Sequence, residues 1–125
     1  MTDLGVGTAA LPVLMTMAPL DAVTPRGAVT GGWMLTQLDL AAGLAGRRAS
    51  GGEALILSIK DLTFRDALRA GEDFQIRAEL TRKGNTSFNL LLSAWAGASE
   101  PQREIFQADV LMVAVDAEGT PRKLL

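Results

Sequence analysis

One segment in the first half of the chain constrains the fold more than any other. Residues 33–46 read WMLTQLDLAAGLAG, and a helix wound from them is apolar on nearly every side. Within this segment only Gln37 and Asp39 are strongly polar. A helix of this kind is usually buried on most of its surface rather than lying on the outside of a protein. We therefore expect one long central helix that other elements enclose.

Signals for the start and the end of this helix flank the apolar segment. Residues 31–48 are predicted to be helical, with Thr30 as the N-cap. Arg47 and Arg48 fall in the last turn, where cations interact favourably with the helix dipole. The Ser-Gly-Gly run at 50–52 then ends the helix.

Five further segments have the alternating or β-rich patterns of strands. They are residues 9–17, 53–64, 74–81, 86–96 and 103–115. Pro12 indicates that the first strand lies at an edge of the sheet, and the Lys-Gly-Asn turn at 83–85 predicts a hairpin. The order predicts an α+β fold in which a strand, the helix and a four-stranded antiparallel meander share one core. The helix needs cover on its other side, so we expect at least a dimer.

Length and composition limit the organisation of the chain. With 125 residues, 48% of them apolar, the sequence predicts a single domain over residues 9–125, preceded by a disordered stretch at residues 1–8. No apolar run is long enough to span a membrane, and residues 1–7 lack the Lys or Arg of a signal peptide, so we expect a cytoplasmic protein. A net charge of -2 does not favour nucleic acid as a partner.

Three residue types that often carry enzyme chemistry are missing. The sequence has no Cys, no His and no Tyr. This excludes thiol nucleophiles, Ser-His-Asp triads and histidine-built metal sites. We expect no metal and no cofactor, so any chemistry must rely on carboxylates, Lys, Ser or Thr hydroxyls, or backbone amides.

Asp39 is the strongest candidate for a chemical role. Its neighbours one helical turn away are Leu35, Ala42 and Gly43, and none of these can pair with a carboxylate. A carboxylate in an apolar setting is costly unless it meets a partner or faces a cleft. Asp39 therefore suits a general base beside a ligand, for which its small neighbours leave room. The alternatives are an exposed position at the helix edge, or an ion pair with an Arg of a neighbouring chain.

The helix start is the second candidate site. Gly31 and Gly32 precede Trp33, and amides at a helix N-terminus are unpaired and carry the positive end of the dipole. Such amides can stabilise an oxyanion without any side chain. A Gly-Gly pair is also common where a loop simply leads into a helix.

Two basic segments are the remaining candidates. The turn at 82–87 reads RKGNTS and can hold a phosphate or an amide-containing ligand, or it can be a solvated hairpin. Near the C-terminus, Arg122 and Lys123 can meet a ligand phosphate or simply keep the end of the chain soluble.

Taken together, these motifs resemble the acyl-CoA thioesterases of the hot-dog fold, and among them the YciA-like acyl-CoA hydrolases. The family has a Gly-Gly-Trp helix start followed by Ser-Gln-Met-Asp, and here residues 31–39 read GGWMLTQLD. Residues 62–64 (LTF), 83–87 (KGNTS) and 113–122 (VAVDAEGTPR) are similar to three further family motifs, in the same order. The resemblance covers roughly residues 15–125.

The resemblance implies a hot-dog fold, with a sheet of five to six strands around the helix. It also implies a homodimer that assembles further into tetramers or hexamers, with acyl-CoA bound between subunits. Asp39 would be the base or nucleophile, and the amide near Gly32 would stabilise the oxyanion. The candidate substrate-binding residues are then Gly31, Trp33, Lys83, Gly84, Asn85, Thr86, Ser87 and Arg122, together with Arg26 from the loop before the helix.

The loop before the helix departs from the family pattern. The family usually has Asn-x-Asn-Gly-Asp there, whereas residues 24–28 read TPRGA, which puts Arg26 where an Asn is expected. Arg26 can contact a substrate carboxylate or a CoA phosphate, or it can pair with Asp39 and leave the site inert. This departure motivates an alternative hypothesis, a non-catalytic module that binds acyl-CoA.

Overall fold

The computed structural model of the chain describes residues 10–124, so the segment 1–8, predicted to be disordered, lies outside the described residues. Five strands and one helix follow one another in the order β, α, β, β, β, β. Their bounds are β1 Leu11–Met17, α1 Gly31–Ser50, β2 Ala54–Phe64, β3 Asp73–Lys83, β4 Ser87–Ala96 and β5 Arg103–Ala114. The predicted elements are thus confirmed, and most of their ends shift by only one or two residues.

The predicted caps define both ends of α1. Thr30 has extended backbone angles, and its side-chain oxygen accepts a hydrogen bond from the Trp33 N–H at 3.3 Å. At the other end, Gly51 adopts the left-handed conformation (φ 79°) that glycine tolerates without a steric penalty. Its N–H donates to the Arg47 carbonyl at 2.9 Å, which closes the last turn.

The sheet is antiparallel, with the strand order β1-β3-β4-β5-β2. The prediction of a four-stranded meander is therefore wrong for β2, which pairs with β5 at one edge of the sheet. The short turn at 84–86 forces β3 and β4 to be neighbours, whereas the longer connection at 65–72 can cross the end of the sheet. The edge position predicted from Pro12 is confirmed for β1.

Within residues 10–124, one hydrophobic core lies between a face of the sheet and one face of α1. The alternation of β3 puts Phe74, Ile76, Ala78 and Leu80 into this core, as its sequence predicts. Burial of one such Leu, Ile or Phe side chain stabilises the fold by about 1.5–3 kcal/mol. The helix contributes Met34 and Leu38 together with small residues: Ala41, Ala42, Ala45 and Gly46. Small side chains on this face let the helix approach the sheet closely.

The opposite face of α1 is exposed, contrary to the expectation of a helix buried on most sides. Its leucines Leu35, Leu40 and Leu44 retain 40%, 53% and 37% exposure. The physical reason is that a single sheet covers only one side of the helix. Edge strand β2 also exposes Leu55, Leu57 and Ile59. Exposed apolar side chains on a helix and on a strand at the edge of a sheet are typical of surfaces that a second chain covers.

Within residues 10–124, no helix combines the length and hydropathy needed to cross a lipid bilayer.

Candidate functional site

The start of α1 presents two unused backbone amides. The N–H groups of Gly31 and Gly32 make no hydrogen bond within residues 10–124, and both glycines are exposed. Apart from the adjoining residues and the backbone of the helix, a Cβ placed on either glycine would have no heavy atom of the described chain within 4 Å, so a ligand can approach closely. These amides sit at the positive end of the helix dipole. They can therefore hold an oxygen atom that gains negative charge.

Asp39 lies two helical turns further along α1. Seven residues separate it from Gly32, which corresponds to about 10 Å along the axis and to nearly the same side of the helix. The side chain is exposed, and its carboxylate makes no hydrogen bond or ion pair within residues 10–124. The suggested pairing of Arg26 with Asp39 is thus not formed in the single chain. Asp39 instead occupies the exposed helix position that was the alternative.

A groove runs along α1 on the C-terminal side of Asp39. Its volume is about 560 Å³, and it lies between the helix and the first residues of β2. The residues that line it are Asp39, Leu40, Gly43, Leu44, Arg47, Glu53 and Ala54. Gly43, expected from the sequence to leave room, lies in this groove, whereas Ala42 faces the core. The groove can therefore take an extended ligand next to the carboxylate.

Most polar groups of the turn between β3 and β4 are satisfied within the chain. The Arg82 guanidinium donates to the Ser87 hydroxyl at 2.9 Å and to the Asn89 side chain at 2.6 Å. The Gly84 N–H donates to the Ser87 carbonyl at 2.7 Å. The carbonyls of Asn85 and Thr86 accept from Leu124 and Ala114, so the turn also anchors the C-terminal segment. Lys83 is exposed at this end of the sheet.

Arg122 donates hydrogen bonds at the C-terminal end of α1. Its guanidinium donates to the Ser50 carbonyl at 3.0 Å, to the Ser50 hydroxyl at 3.4 Å and to the Val115 carbonyl at 3.0 Å. All three guanidinium nitrogens are therefore engaged within the chain. The role of Arg122 in substrate binding stays a prediction. In the structure, its guanidinium satisfies hydrogen-bond acceptors at the C-terminus of the helix.

Trp33 follows the two free amides in the sequence, and Arg26 belongs to the loop that precedes them. The half-buried Trp33 ring packs edge-on against Phe74, with 5.3 Å between ring centroids. Arg26 is exposed near the tip of a small hairpin in which Val23 bridges Val29 and Gly27 has φ 83°. Within residues 10–124 the Arg26 guanidinium makes no hydrogen bond or ion pair, so it is available to an anion.

The described residues hold no group of three or more carboxylate, His or Cys side chains arranged to bind a metal ion. Every sequence-predicted site residue on α1 lies in its first half, from the free amides to Asp39. The turn at 83–87 and Arg122 lie on other elements.

Comparison with known families gives this arrangement a context. The thioesterase superfamily matches residues 26–100, which is 75 of the 125 residues. The chain belongs to the thioesterase superfamily. One relative is the acyl-CoA thioester hydrolase YciA of Escherichia coli, which is 29% identical over 117 residues, covering 90% of this chain and 89% of the relative.

Solved structures of thioesterases share the fold of this superfamily member. A hexameric thioesterase from Yersinia pestis superposes with a TM-score of 0.86 at 24% identity, covering 94% of this chain and 98% of the other. A hexameric hot-dog fold thioesterase of Campylobacter jejuni superposes with a TM-score of 0.83 at 25% identity, covering 99% and 93%. The expected hot-dog fold, with five strands and one helix, is confirmed.

Two groups of polar residues in this thioesterase-superfamily chain include members that the sequence did not identify as candidates. On the outer face of the sheet, the Asn89 amide links Arg82 to Asp109, accepting from the first and donating to the second at 3.1 Å. The alternating pattern of β4 could have placed Asn89 on this face. Together with Ser58, Lys60 and Leu111 these residues line a cavity of about 200 Å³.

The second group surrounds Arg103, on β5. Its guanidinium donates to both carboxylate oxygens of Glu72 at 2.8 and 3.0 Å, to Asp66 at 3.0 Å and to the Ala67 carbonyl at 2.8 Å. This charge holds the pKa of Glu72 below its ordinary value, and the two carboxylates raise the pKa of Arg103 in turn. No sequence signal pairs these residues, since 31 positions separate Glu72 from Arg103. We call this set the Arg103 network.

Proposed function

We propose that the chain is an acyl-CoA thioesterase that hydrolyses the thioester to a free acid and CoA. The observation that carries the proposal is a helix with two unused N-terminal amides and, two turns further along the same side, an unpaired carboxylate beside a groove. An oxyanion site and a carboxylate are what thioester hydrolysis needs in a chain without Cys or His. The superfamily and the relative named acyl-CoA thioester hydrolase support it.

The proposed chemistry uses few groups. The Gly32 amide donates to the thioester oxygen, which gains negative charge as the carbonyl carbon becomes tetrahedral. Asp39 either removes a proton from the attacking water or attacks the carbonyl carbon itself. The C–S bond then breaks, the CoA thiolate leaves and takes up a proton, and water supplies the second oxygen of the acid. On the nucleophilic route an acyl-aspartyl anhydride forms first, and water hydrolyses it.

We propose that two chains build each site, and the spacing of the two groups supports this. Hydrogen bonds of the required kind span about 3 Å, but Gly32 and Asp39 of one chain are about 10 Å apart along the helix. Two antiparallel helices related by a two-fold axis would bring Asp39 of one chain opposite Gly32 of the other. The midpoint of residues 32 and 39 falls between Leu35 and Thr36, so the exposed Leu35 side chain would then lie near the axis.

We extend the proposal to the assembly and to the substrate. The dimer would cover the exposed leucines of α1, and further association into a hexamer would follow the two hexameric neighbours. The groove of about 560 Å³ falls within the range of small-molecule sites and would hold the part of acyl-CoA next to the thioester. Arg26, Trp33, Arg122 and the turn at 83–87 are proposed to contact the remainder.

The test is thiol release from a panel of short, long and aromatic acyl-CoAs. The chain has no Cys and adds no background to a thiol-reactive dye. Asp39→Asn should lower turnover by about 10²–10⁴-fold, the usual contribution of a positioned acid or base. Glu53→Gln is the matched control, because it removes a negative charge from the other wall of the same groove. Equal turnover by the wild type and Asp39→Asn would reject the assigned role.

The acyl-CoA-binding module remains a second candidate because Arg26 is an exposed cation with no partner in the described chain. A cation near the helix start can hold an anionic part of CoA without any reaction. No thiol release by the wild type from any substrate, together with calorimetric binding of CoA esters that Arg26→Ala weakens, would favour this function.

A further inference from the structure

We infer that Arg103 and Glu72 are positioning residues that hold the helix start, and with it the Gly31 and Gly32 amides, in the place where the thioester oxygen binds. This inference rests on the proposed hydrolase function. It concerns residues that touch neither the substrate nor the reacting atoms, and that act through the backbone of the intervening loop.

The Arg103 network fixes the loop at 65–72 to β5. Both Glu72 oxygens, one Asp66 oxygen and the Ala67 carbonyl accept from this single guanidinium. Glu72 also accepts from the backbone N–H of Arg69 at 2.7 Å. The carboxylate of Glu72 therefore joins the loop backbone to β5 through charge-assisted hydrogen bonds, which are among the stronger kinds in proteins.

The same loop holds the segment that leads into α1. The Val29 N–H donates to the Leu68 carbonyl at 2.8 Å, and Ala28 forms a β-bridge with Arg69. The Leu68 side chain is completely buried, so the loop backbone at this point cannot move without disturbing the core. Thr30, the N-cap, follows directly after Val29. A continuous set of contacts thus runs from Arg103 through the loop to the first amides of the helix.

Besides this loop, the packing of the Trp33 ring against Phe74 holds the first turn of the helix through a side chain. The backbone that precedes the helix is otherwise held by the Thr30 N–H, which donates to the Ala22 carbonyl at 2.9 Å. Oxyanion donors act only at hydrogen-bond distance, and a displacement of about 1 Å can lower a rate by about a hundredfold. Loosening the loop at 65–72 should therefore reduce kcat even though the core stays folded.

A second ion pair offers a matched control on the same two elements. Arg65 and Glu104 pair at 2.9 Å, again between the loop and β5. Arg65 lies at the beginning of the loop, where its N–H donates to the Ile105 carbonyl. Neither its side chain nor that of Glu104 makes a hydrogen bond or ion pair with residues 67–72 of the described chain. Removal of this pair should weaken the surface electrostatic interactions to a similar extent, and it should leave the contacts that hold the helix start unchanged.

The experiment compares Glu72→Gln and Arg103→Lys with Arg65→Lys and Glu104→Gln. Steady-state thiol release gives kcat and KM, and amide hydrogen exchange gives the protection of the Val29 N–H. We expect Glu72→Gln and Arg103→Lys to lower kcat by about tenfold or more, with a smaller change in KM. Exchange at Val29 should become at least about tenfold faster. The Arg65 and Glu104 variants should leave both readouts at wild-type values.

The outcomes separate this inference from the proposed function. A wild type that hydrolyses acyl-CoA, with folded Glu72→Gln and Arg103→Lys variants of unchanged kcat, would overturn the positioning role alone. Equal losses in all four variants would show that only general stability of the loop matters, which also overturns it. If the wild type itself is inactive, the proposed function fails, and the Val29 exchange rate still decides whether the network holds the helix start. Should Arg103→Lys fail to fold, the nearly isosteric Glu72→Gln decides alone.

Discussion

The two ends of α1 differ in how their backbone groups are satisfied. At the C-terminal end, the Gly51 N–H closes the last turn, Arg122 donates to the Ser50 carbonyl, and the Ser50 hydroxyl donates to the Gly52 carbonyl. At the N-terminal end, Thr30 accepts from Trp33 and Met34, but the amides of Gly31 and Gly32 have no partner within the described residues. We call the C-terminal end, which the chain itself caps, the closed end. We call the N-terminal end, with its two free amides in the described chain, the open end.

The charges around the helix follow the same division. The last turn contains Arg47 and Arg48, which neutralise the negative end of the dipole, whereas the first turn contains no acidic residue. An acidic residue there would stabilise the helix by about 0.3–1 kcal/mol, and it would also compete with any incoming anion. This helix thus gives up stability at its N-terminal end, where an oxyanion can bind, and gains stability at its C-terminal end.

Removing one amide from the open end should have the largest effect. Gly32→Pro deletes the N–H in the first turn, where a helix tolerates proline best. We expect kcat for acyl-CoA to fall by about 10²–10³-fold, the usual loss when one oxyanion donor is removed. The measurement is thiol release at saturating substrate.

Gly32→Ala is the control for this variant, because it keeps the N–H and its Cβ meets no atom of the described chain within 4 Å. It should retain most of the activity. If Gly32→Ala were as inactive as Gly32→Pro, the lack of a side chain at this position, and not its amide, would be what the reaction needs.

Loss of the guanidinium at the closed end should have an intermediate effect, on stability. Arg122→Ala leaves the Ser50 carbonyl without its donor, and we expect the free energy of unfolding to fall by about 1–3 kcal/mol. Urea denaturation measures this change, with Lys123→Ala as the control on the neighbouring cation. A rise in KM with unchanged stability would instead favour the substrate-binding role predicted from the sequence.

The smallest effect should come from the N-cap. Thr30→Ala removes the acceptor of the Trp33 N–H and should cost about 1 kcal/mol of stability, while Thr30→Ser keeps that acceptor and should cost less. Thermal unfolding monitored by circular dichroism distinguishes the two. Equal melting temperatures for Thr30→Ala and the wild type would show that this bond contributes nothing to the helix start.

Features set by neighbouring residues could be predicted from the sequence. The caps at Thr30 and Gly51, the helix between them and the inward alternation of β3 all depend on local spacing. The pairing of β2 with β5 could not be predicted, because it depends on how the connection at 65–72 crosses the sheet. The exposed face of α1 has a similar cause, since apolar residues alone do not tell whether their own chain or another covers them.

The candidate site divides in the same way, into features set by neighbouring residues and contacts between residues far apart in the sequence. Gly31, Gly32 and Asp39 are identified from their positions along one helix, and all three are exposed in the structure. Arg122 was predicted as a ligand contact, but its bonds to Ser50 depend on a contact across 72 positions. The Arg103 network has no local signature either, because a surface Arg and a surface Glu are common in any soluble chain.

The seven-residue separation of Gly32 and Asp39 has a genetic consequence in the proposed dimer. A lesion at Asp39 in one chain and a lesion at Gly32 in the other would fall together in one site and leave the second site intact, so two inactive proteins would complement each other. Both lesions in a single chain would instead damage both sites, even when the partner chain is wild type. Heterodimers thus keep one intact site when the two substitutions lie in separate chains, and none when both lie in the same chain.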